Sequence, residues 1–385
     1  MLLNVGPVMH PLRLAFLPLL ALIGCSGGDG VFAQTRPFEV EAIAQFDEPW
    51  AMTFLPGTGQ ALVTEKRGRL KLWSPSGPVI DVTGVPPVSY GGQGGFGDVV
   101  LHPQFATNHL VYLSYVEAGE SGTRGAAVGR GRLVIENGVA RIDGFQVIWR
   151  QQPKVEGGGH FSHRIAFGPD GKLYISSGER MAFDPAQDMA VNLGKIVRLN
   201  DDGSVPPDNP WFARGGVAAQ IWTLGHRNAL GLAFAPDGNL WEVEMGPRGG
   251  DEVNLIRPGA NYGWPRASNG SHYDGRDIPD HSAGDGFEPP KVWWNPSVSP
   301  SSLIIYTGSM FPEWRGDALI GALSGEALIH VDIDGANATK ADQWGMGERI
   351  REVEQGPDGS VYLLEDQRGG SGGRLLRLTP RRQSS

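Results

Sequence analysis

LGLAFAPDGNLWEVEM, residues 230–245, reads as a strand, a tight turn and a second strand. Leu230, Leu232 and Phe234 alternate before the turn and Trp241, Val243 and Met245 after it, the period of a half-buried strand. Pro236 presets φ at the turn and Gly238 takes the left-handed position. The same unit recurs as RIAFGPDGKLYISSGE (164–179) and IREVEQGPDGSVYLLED (350–366), again with Pro-Asp-Gly between the runs. Looser copies are WAMTFLPGTGQALVTEKRGRLKLW (50–73), GDVVLHPQFATNHLVYLSYV (97–116) and SSLIIYTG through WRGDALIGALSGEALIHVDIDG (301–335). Together they make six units at a spacing of about 45–70 residues, the signature of a propeller with variable insertions. The expectation is an all-β, six-bladed β-propeller, one domain with loop insertions. GRLLRLTP (373–380) should close the ring by pairing with early strands near 38–46, and insertions are expected at 119–128, 183–191, 200–216 and 265–290.

Composition agrees. The 385 residues include 57 glycines and 29 prolines, 40% are hydrophobic, and no long amphipathic helix pattern is present. Such a chain has many turns and enough apolar residues for a large core. The formal charge of −9 and the lack of a basic stripe argue against a nucleic-acid partner, which needs clustered Lys and Arg.

The first 33 residues read as an export segment and short linker, with the propeller over 34–385. Arg13 precedes LAFLPLLALIG (14–24), too short to span a bilayer and suited to a signal-peptide core. Met9 is an equally good start. Cys25, the only cysteine, ends Leu22-Ile23-Gly24-Cys25, a lipobox-like run that would lipidate it; cleavage after Val31-Phe32-Ala33 would instead leave a soluble protein. Both place the mature chain outside the cytoplasm, periplasmic or anchored to the outer membrane, with no disulfide.

Several short stretches carry candidate chemistry. GGGHFSHR puts His160 after three glycines and before a strand, as a general base at a channel mouth or as a histidine satisfying a loop carbonyl. His160 and His163 do not make a metal site, since no further His or Cys cluster completes the ligand set. GHRN offers Arg227 and Asn228, a guanidinium for a carboxylate or a growing oxyanion, or a surface ion pair. GPRGGDEVN (246–254) offers glycine-freed carbonyls and the carboxylates of Asp251 and Glu252, a calcium-like donor set or a plain acidic turn. Zinc is implausible at this loop because no thiolate or imidazole is to hand. GGQGG (91–95) presents Gln93, and Arg349-Ile350-Arg351 in strand alternation sends both guanidiniums to one side, as a carboxylate trap or a solvated face.

In this order, GGQGG, GGGHF, GHRN, GPRGGDE, NYGWP (261–265) and RIR (349–351) resemble the soluble PQQ-dependent sugar dehydrogenases, closest to their aldose sugar dehydrogenase branch. The resemblance runs from Pro49 to Leu378 and agrees with the six-bladed count. It implies His160 as the base that takes the anomeric hydroxyl proton while hydride passes to the quinone C5, with Arg227 stabilising the developing oxyanion. It implies that Gln93, Arg227, Asn228, Tyr273, Ala322, Leu323, Ser324, Arg349, Ile350 and Arg351 hold PQQ. Carbonyls of Gly246 and Pro247 would bind the calcium that bridges to PQQ, and Glu252 with the Tyr262 carbonyl a structural calcium. One departure stands out: the family pattern Gly-Ala-Leu-Lys is Gly321-Ala322-Leu323-Ser324 here, which removes a cation from the expected carboxylate clamp.

The expected function is therefore oxidation of aldoses to lactones with electrons passed to an external acceptor, some relatives being grouped with sorbosone oxidation. A calcium-dependent lactonase on a similar propeller would have no use for Arg349 and Arg351. A non-catalytic sugar- or protein-binding propeller would tolerate loss of His160.

Overall fold

The computed structural model describes residues 36–366 and 372–381. The export segment and Cys25 lie outside the described residues. Among the described residues no helix is long and apolar enough to cross a membrane.

Twenty-four strands form six four-stranded antiparallel blades. Their innermost strands are Pro49–Phe54, Phe96–Leu101, Ser162–Phe167, Ala229–Phe234, Pro300–Ile305 and Ile350–Gln355. Each touches the next, and the sixth touches the first, so the ring closes around an axis. The first two blades are joined edge to edge by a short parallel pairing of Val82–Thr83 with Ala140–Arg141. The last blade is completed by the N-terminal strand Phe38–Gln45, antiparallel to Arg374–Pro380 with Phe38 opposite Pro380, which bears out the expected closure.

The Pro-Asp-Gly turns behave as their chemistry requires. Gly171, Gly238 and Gly359 take φ of +71°, +88° and +85°. Asp170, Asp237 and Asp358 each accept the backbone N–H two residues on, at 3.0 Å. Burial then follows the blade boundaries. Val243, Val253 and Val292 of the fourth blade pack with Leu303, Ile320 and Ile329 of the fifth, and equivalent clusters fill the other five gaps between blades. No blade can bury its faces alone, so the length that would ordinarily make two domains makes one.

Two expected insertions differ. Half of 119–128 is strand: Gly119–Thr123 loops out before Arg124–Glu136, because Ala126 and Val128 turn into the gap between the second and third blades and Ala127 into the gap on the other side. The 265–290 segment carries a two-residue strand, Gly270–Ser271, paired with Arg248–Gly249.

One regularity positions the site. In all six blades the register between the first two strands slips at the start of the innermost strand, between Pro49 and Ala51, Phe96 and Val99, Ser162 and Ile165, Ala229 and Gly231, Pro300 and Ser302, and Ile350 and Glu352. A bulge bends the strand and re-aims the residue beside it. Residues just ahead of these bulges therefore gather at one mouth of the channel.

Candidate active site

Gln93, His160, Arg227 to Asn228, and Arg349 with Arg351 all come from this set of positions. They line two adjoining cavities that share Met181 as a wall. An axial cavity of about 980 Å³ is lined by Gln93, Asn228, Leu323, Arg349 and Arg351, joined by Lys66 and Asp366. A recess of about 240 Å³ beside it is lined by His160, Arg227, Pro247, Trp264 and Tyr273. The blade wall between consecutive residues divides them: Arg227 turns into one cavity and Asn228 into the other.

His160 sits at φ +47°, and Ser162, His163, Arg180, Met181 and Phe183 around it are also left-handed. Non-glycine residues persist there only where surrounding contacts fix them. The His160 N–H donates to Gln93 Oε1 at 2.7 Å. Arg180 grips the preceding glycines, giving Nε to Gly159 O at 2.9 Å and a terminal nitrogen to Gly157 O at 2.9 Å, with its plane over Phe161. The imidazole Nδ1 pairs with Glu179 Oε1, and that carboxylate also accepts N–H groups from Met181 (3.0 Å) and Phe183 (2.6 Å).

Burial lowers the His160 pKa, opposed by the Glu179 hydrogen bond and reinforced by the Arg227 charge. Burial raises the Glu179 carboxyl, but the His160 hydrogen bond, the imidazole's charge and the Phe183 N–H outweigh it, leaving Glu179 below its ordinary value. A neutral imidazole beside an ionised carboxylate results, with Nδ1–H turned to Glu179 and the lone pair on Nε2. His163 is different: stacked on Trp50 and bonded to Ser114 Oγ at 2.8 Å, it is pushed by burial to about 3 and held neutral.

Arg227 is fixed at both ends. Its backbone N–H and that of Asn228 donate to Glu244 Oε2 at 2.6 and 3.2 Å. One terminal nitrogen meets Met245 O (2.9 Å) and Gly246 O (2.6 Å), the other Tyr273 Oη (3.2 Å). Among the described residues its buried Nε has no hydrogen-bond partner. Arg349 and Arg351 do point the same way, as strand alternation required. Both reach Asp366 Oδ2, at 3.1 and 3.0 Å.

A third space of about 10 Å³, ion-sized, lies among Gly246, Glu252 and Tyr262. Gly246 has no room for a side chain: a Cβ there would stand 2.2 Å from Gly250 O. Tyr262 can offer only its carbonyl, because its hydroxyl donates to Leu255 O at 2.7 Å and its ring stacks on His226.

Three expected contacts need correction. Ile350 and Ala322 are fully buried between blades, so their side chains cannot touch a cofactor. Ser324 does not line the axial cavity; its hydroxyl meets Ser299 Oγ at 2.8 Å and Ser297 O at 3.3 Å. The exclusion of zinc near 246–254 also fails on its premise. The fold brings His226 and His281 against the acidic strands, His281 Nε2 lying 3.8 Å from Glu252 Oε1.

A six-bladed propeller with a buried His–Glu pair, a pinned arginine and an arginine-lined axial cavity at one mouth defines a class of channel-mouth enzyme. The family model described as glucose/sorbosone dehydrogenase matches residues 46–377, and the chain belongs to that family. It is 39% identical to the aldose sugar dehydrogenase YliI of Escherichia coli strain K12 over 97% of this chain and all of that protein. The crystal structure of the soluble aldose sugar dehydrogenase from Escherichia coli in its apo form superposes with a TM-score of 0.84, at 40% identity over 89% of this chain and 100% of the other. The PQQ-bound aldose sugar dehydrogenase of Streptomyces coelicolor gives 0.73, at 27% identity over 89% and 98%.

Proposed function

We propose that this protein is an exported, PQQ- and calcium-dependent dehydrogenase that oxidises an aldose at its anomeric carbon to the lactone. The observation that carries the reading is the His160–Glu179 pair beside Arg227, in a recess that adjoins the arginine-lined cavity. When bound, PQQ supplies the acceptor for the hydride that leaves the anomeric carbon.

The residues fit such a group. Arg349, Arg351 and Lys66 bring positive charge to a cavity large enough for a tricyclic anion with three carboxylates, in a chain that is acidic overall. Gln93 and Asn228 line the same wall. The unpartnered Nε of Arg227 and its fixed guanidinium offer donors for an oxygen on which charge grows. Calcium is a hard ion that takes carbonyl and carboxylate oxygens; Gly246, Glu252 and the Tyr262 carbonyl supply them around the small cavity, while Pro247 lines the recess that holds His160 and Arg227.

In this reading His160 Nε2 takes the proton from the anomeric hydroxyl, so the C–O bond gains double-bond character as the hydride departs. Glu179 keeps the tautomer and shares the charge that the imidazole acquires. Trp264, Phe183 and Tyr273 give the recess an apolar wall against which a sugar ring can lie. Reconstitution with PQQ and calcium, followed by dye reduction with a panel of aldoses, tests the assignment. A lactonase would hydrolyse a lactone without any absorbance change in the dye.

Two further results are expected. The acidic limb of kcat/KM should lie below pH 6.5, because the neutral imidazole is the active form and burial holds its pKa under that ordinary value. Activity is then present above the limb and lost as pH falls through it. Glu179→Gln should move the limb lower still, as it removes the group that holds the imidazole up; a limb shifted upward would contradict the pairing. Chelation by EDTA should lower Tm as well as activity, since an ion bound only by the native state adds its binding free energy to stability. A Tm indifferent to EDTA would count against the structural calcium.

A further inference from the structure

The fourth blade buries more negative charge than its neighbours neutralise. Glu242 and Glu244 on the second strand stand opposite Asn254 and Glu252 on the third, and all four are buried on one face. Among the described residues no lysine or arginine side chain pairs with these glutamates; the basic groups within 4 Å are His226, at 3.6 Å from Glu244, and His281. Buried carboxylates without a counter-charge are costly.

Hydrogen bonds satisfy part of the cluster. Asn254 Nδ2 donates to Glu242 Oε2 (3.0 Å) and Glu252 Oε2 (3.2 Å). Glu244 Oε2 is taken by the Arg227 and Asn228 N–H groups. Thr223 Oγ1 meets His226 Nε2 at 2.9 Å. Among the described residues, Glu242 Oε1, Asn254 Oδ1 and His226 Nδ1 are left without partners. Ligand atoms of His226, Glu242 and Glu244 lie within 4.8 Å of one another. His226 Nδ1 is too far from Glu244 Oε1, at 3.6 Å, for a good direct hydrogen bond. Atoms bound to one ion at about 2.0–2.3 Å stand roughly 3–4.6 Å apart, the spacing seen here. The comparable group of Asp317, His330 and Asp332 on the fifth blade lacks this signature: His330 Nε2 already bonds Asp317 at 3.0 Å.

We infer that His226, Glu242 and Glu244 form a second cation site that adjoins the Glu252–Tyr262 space, whose lining Glu244 shares, and that it takes a divalent transition ion such as zinc through one imidazole and two carboxylates. The imidazole sets the class, because calcium prefers oxygen donors alone whereas zinc and its neighbours accept nitrogen. One ion would satisfy two of the three orphaned atoms, His226 Nδ1 and Glu242 Oε1, and two charges at once. Its consequence reaches the active site through Glu244: an ion on Oε1 fixes the carboxylate whose Oε2 holds the Arg227–Asn228 backbone.

The test needs no PQQ, so its failure is separate from failure of the dehydrogenase reading. Full-length protein stripped with EDTA is crystallised with excess Ca²⁺ and one equivalent of Zn²⁺, and anomalous diffraction is collected on both sides of the zinc edge. The expected result is a zinc peak within bonding distance of His226 Nδ1 and the Glu242 and Glu244 oxygens. Equilibrium dialysis should retain one zinc per chain against calcium, weakened at least about tenfold in His226→Gln and Glu242→Gln. A zinc peak only at surface histidines, only at Glu252 and Tyr262, or nowhere would overturn the inference. Since the wild-type map alone decides, a variant that fails to fold leaves the test intact.

Discussion

His160→Gln should bind PQQ as tightly as the parent and turn over at least about a hundredfold more slowly, the usual worth of a positioned base. Glutamine can still meet Glu179 with its amide but has no lone pair of imidazole basicity. The Gln93 contact is to the backbone N–H of residue 160 and survives the change. Retained cofactor affinity with lost rate is therefore the expected split, read by a PQQ titration beside a steady-state assay. Unchanged turnover would remove His160 from the proton transfer. His163→Gln is the control, since that imidazole is locked against Trp50 and Ser114 and is too weak a base to substitute.

Arg227→Ala should lower kcat by about 10²–10³-fold, the range for loss of one donor to a developing negative charge. The guanidinium is held by Met245 O, Gly246 O and Tyr273 Oη whatever the substrate does, so it is fixed before reaction. Donors fixed in advance act on the transition state more than on the ground state. The loss should then fall on kcat more than on the Kd for PQQ. A variant that lost only affinity would make Arg227 an ordinary carboxylate ligand. Arg227→Lys is not expected to rescue, because a single ammonium cannot serve three partners in a plane.

Much of the fold was legible because each blade is a local unit. A strand alternation and a Pro-Asp-Gly turn are properties of about fifteen consecutive residues, and the clean turns at Gly171, Gly238 and Gly359 formed as read. The ring closure was legible too: Arg374–Pro380 pairs with Val361–Glu365 of its own blade on one side and, as expected, with Phe38–Gln45 on the other. What failed were expectations that depend on which residues meet across the axis. Glu179 and Arg180 close one strand-turn unit and give no sign in sequence that they will orient His160 and its glycines. Asp366 ends another, unmarked as the shared partner of Arg349 and Arg351. Ile350 and Ala322 sit inside motifs that touch a cavity, yet strand alternation turns their side chains into the packing between blades. The zinc exclusion counted imidazoles along the chain, whereas His281 arrives from the far end of a long insertion. The six bulges explain why the mouth gathers such residues: each slip re-aims the position before an innermost strand, and pattern reading does not see a one-residue slip.

The most direct measurement is anaerobic titration of metal-free protein with PQQ in the presence of calcium, followed by addition of an aldose while the cofactor's absorbance is recorded. One PQQ should bind per chain, and addition of sugar should bring a spectral change to the reduced form that His160→Gln slows. Protein that binds no PQQ, or that binds it and leaves it oxidised with every aldose tried, would contradict the account.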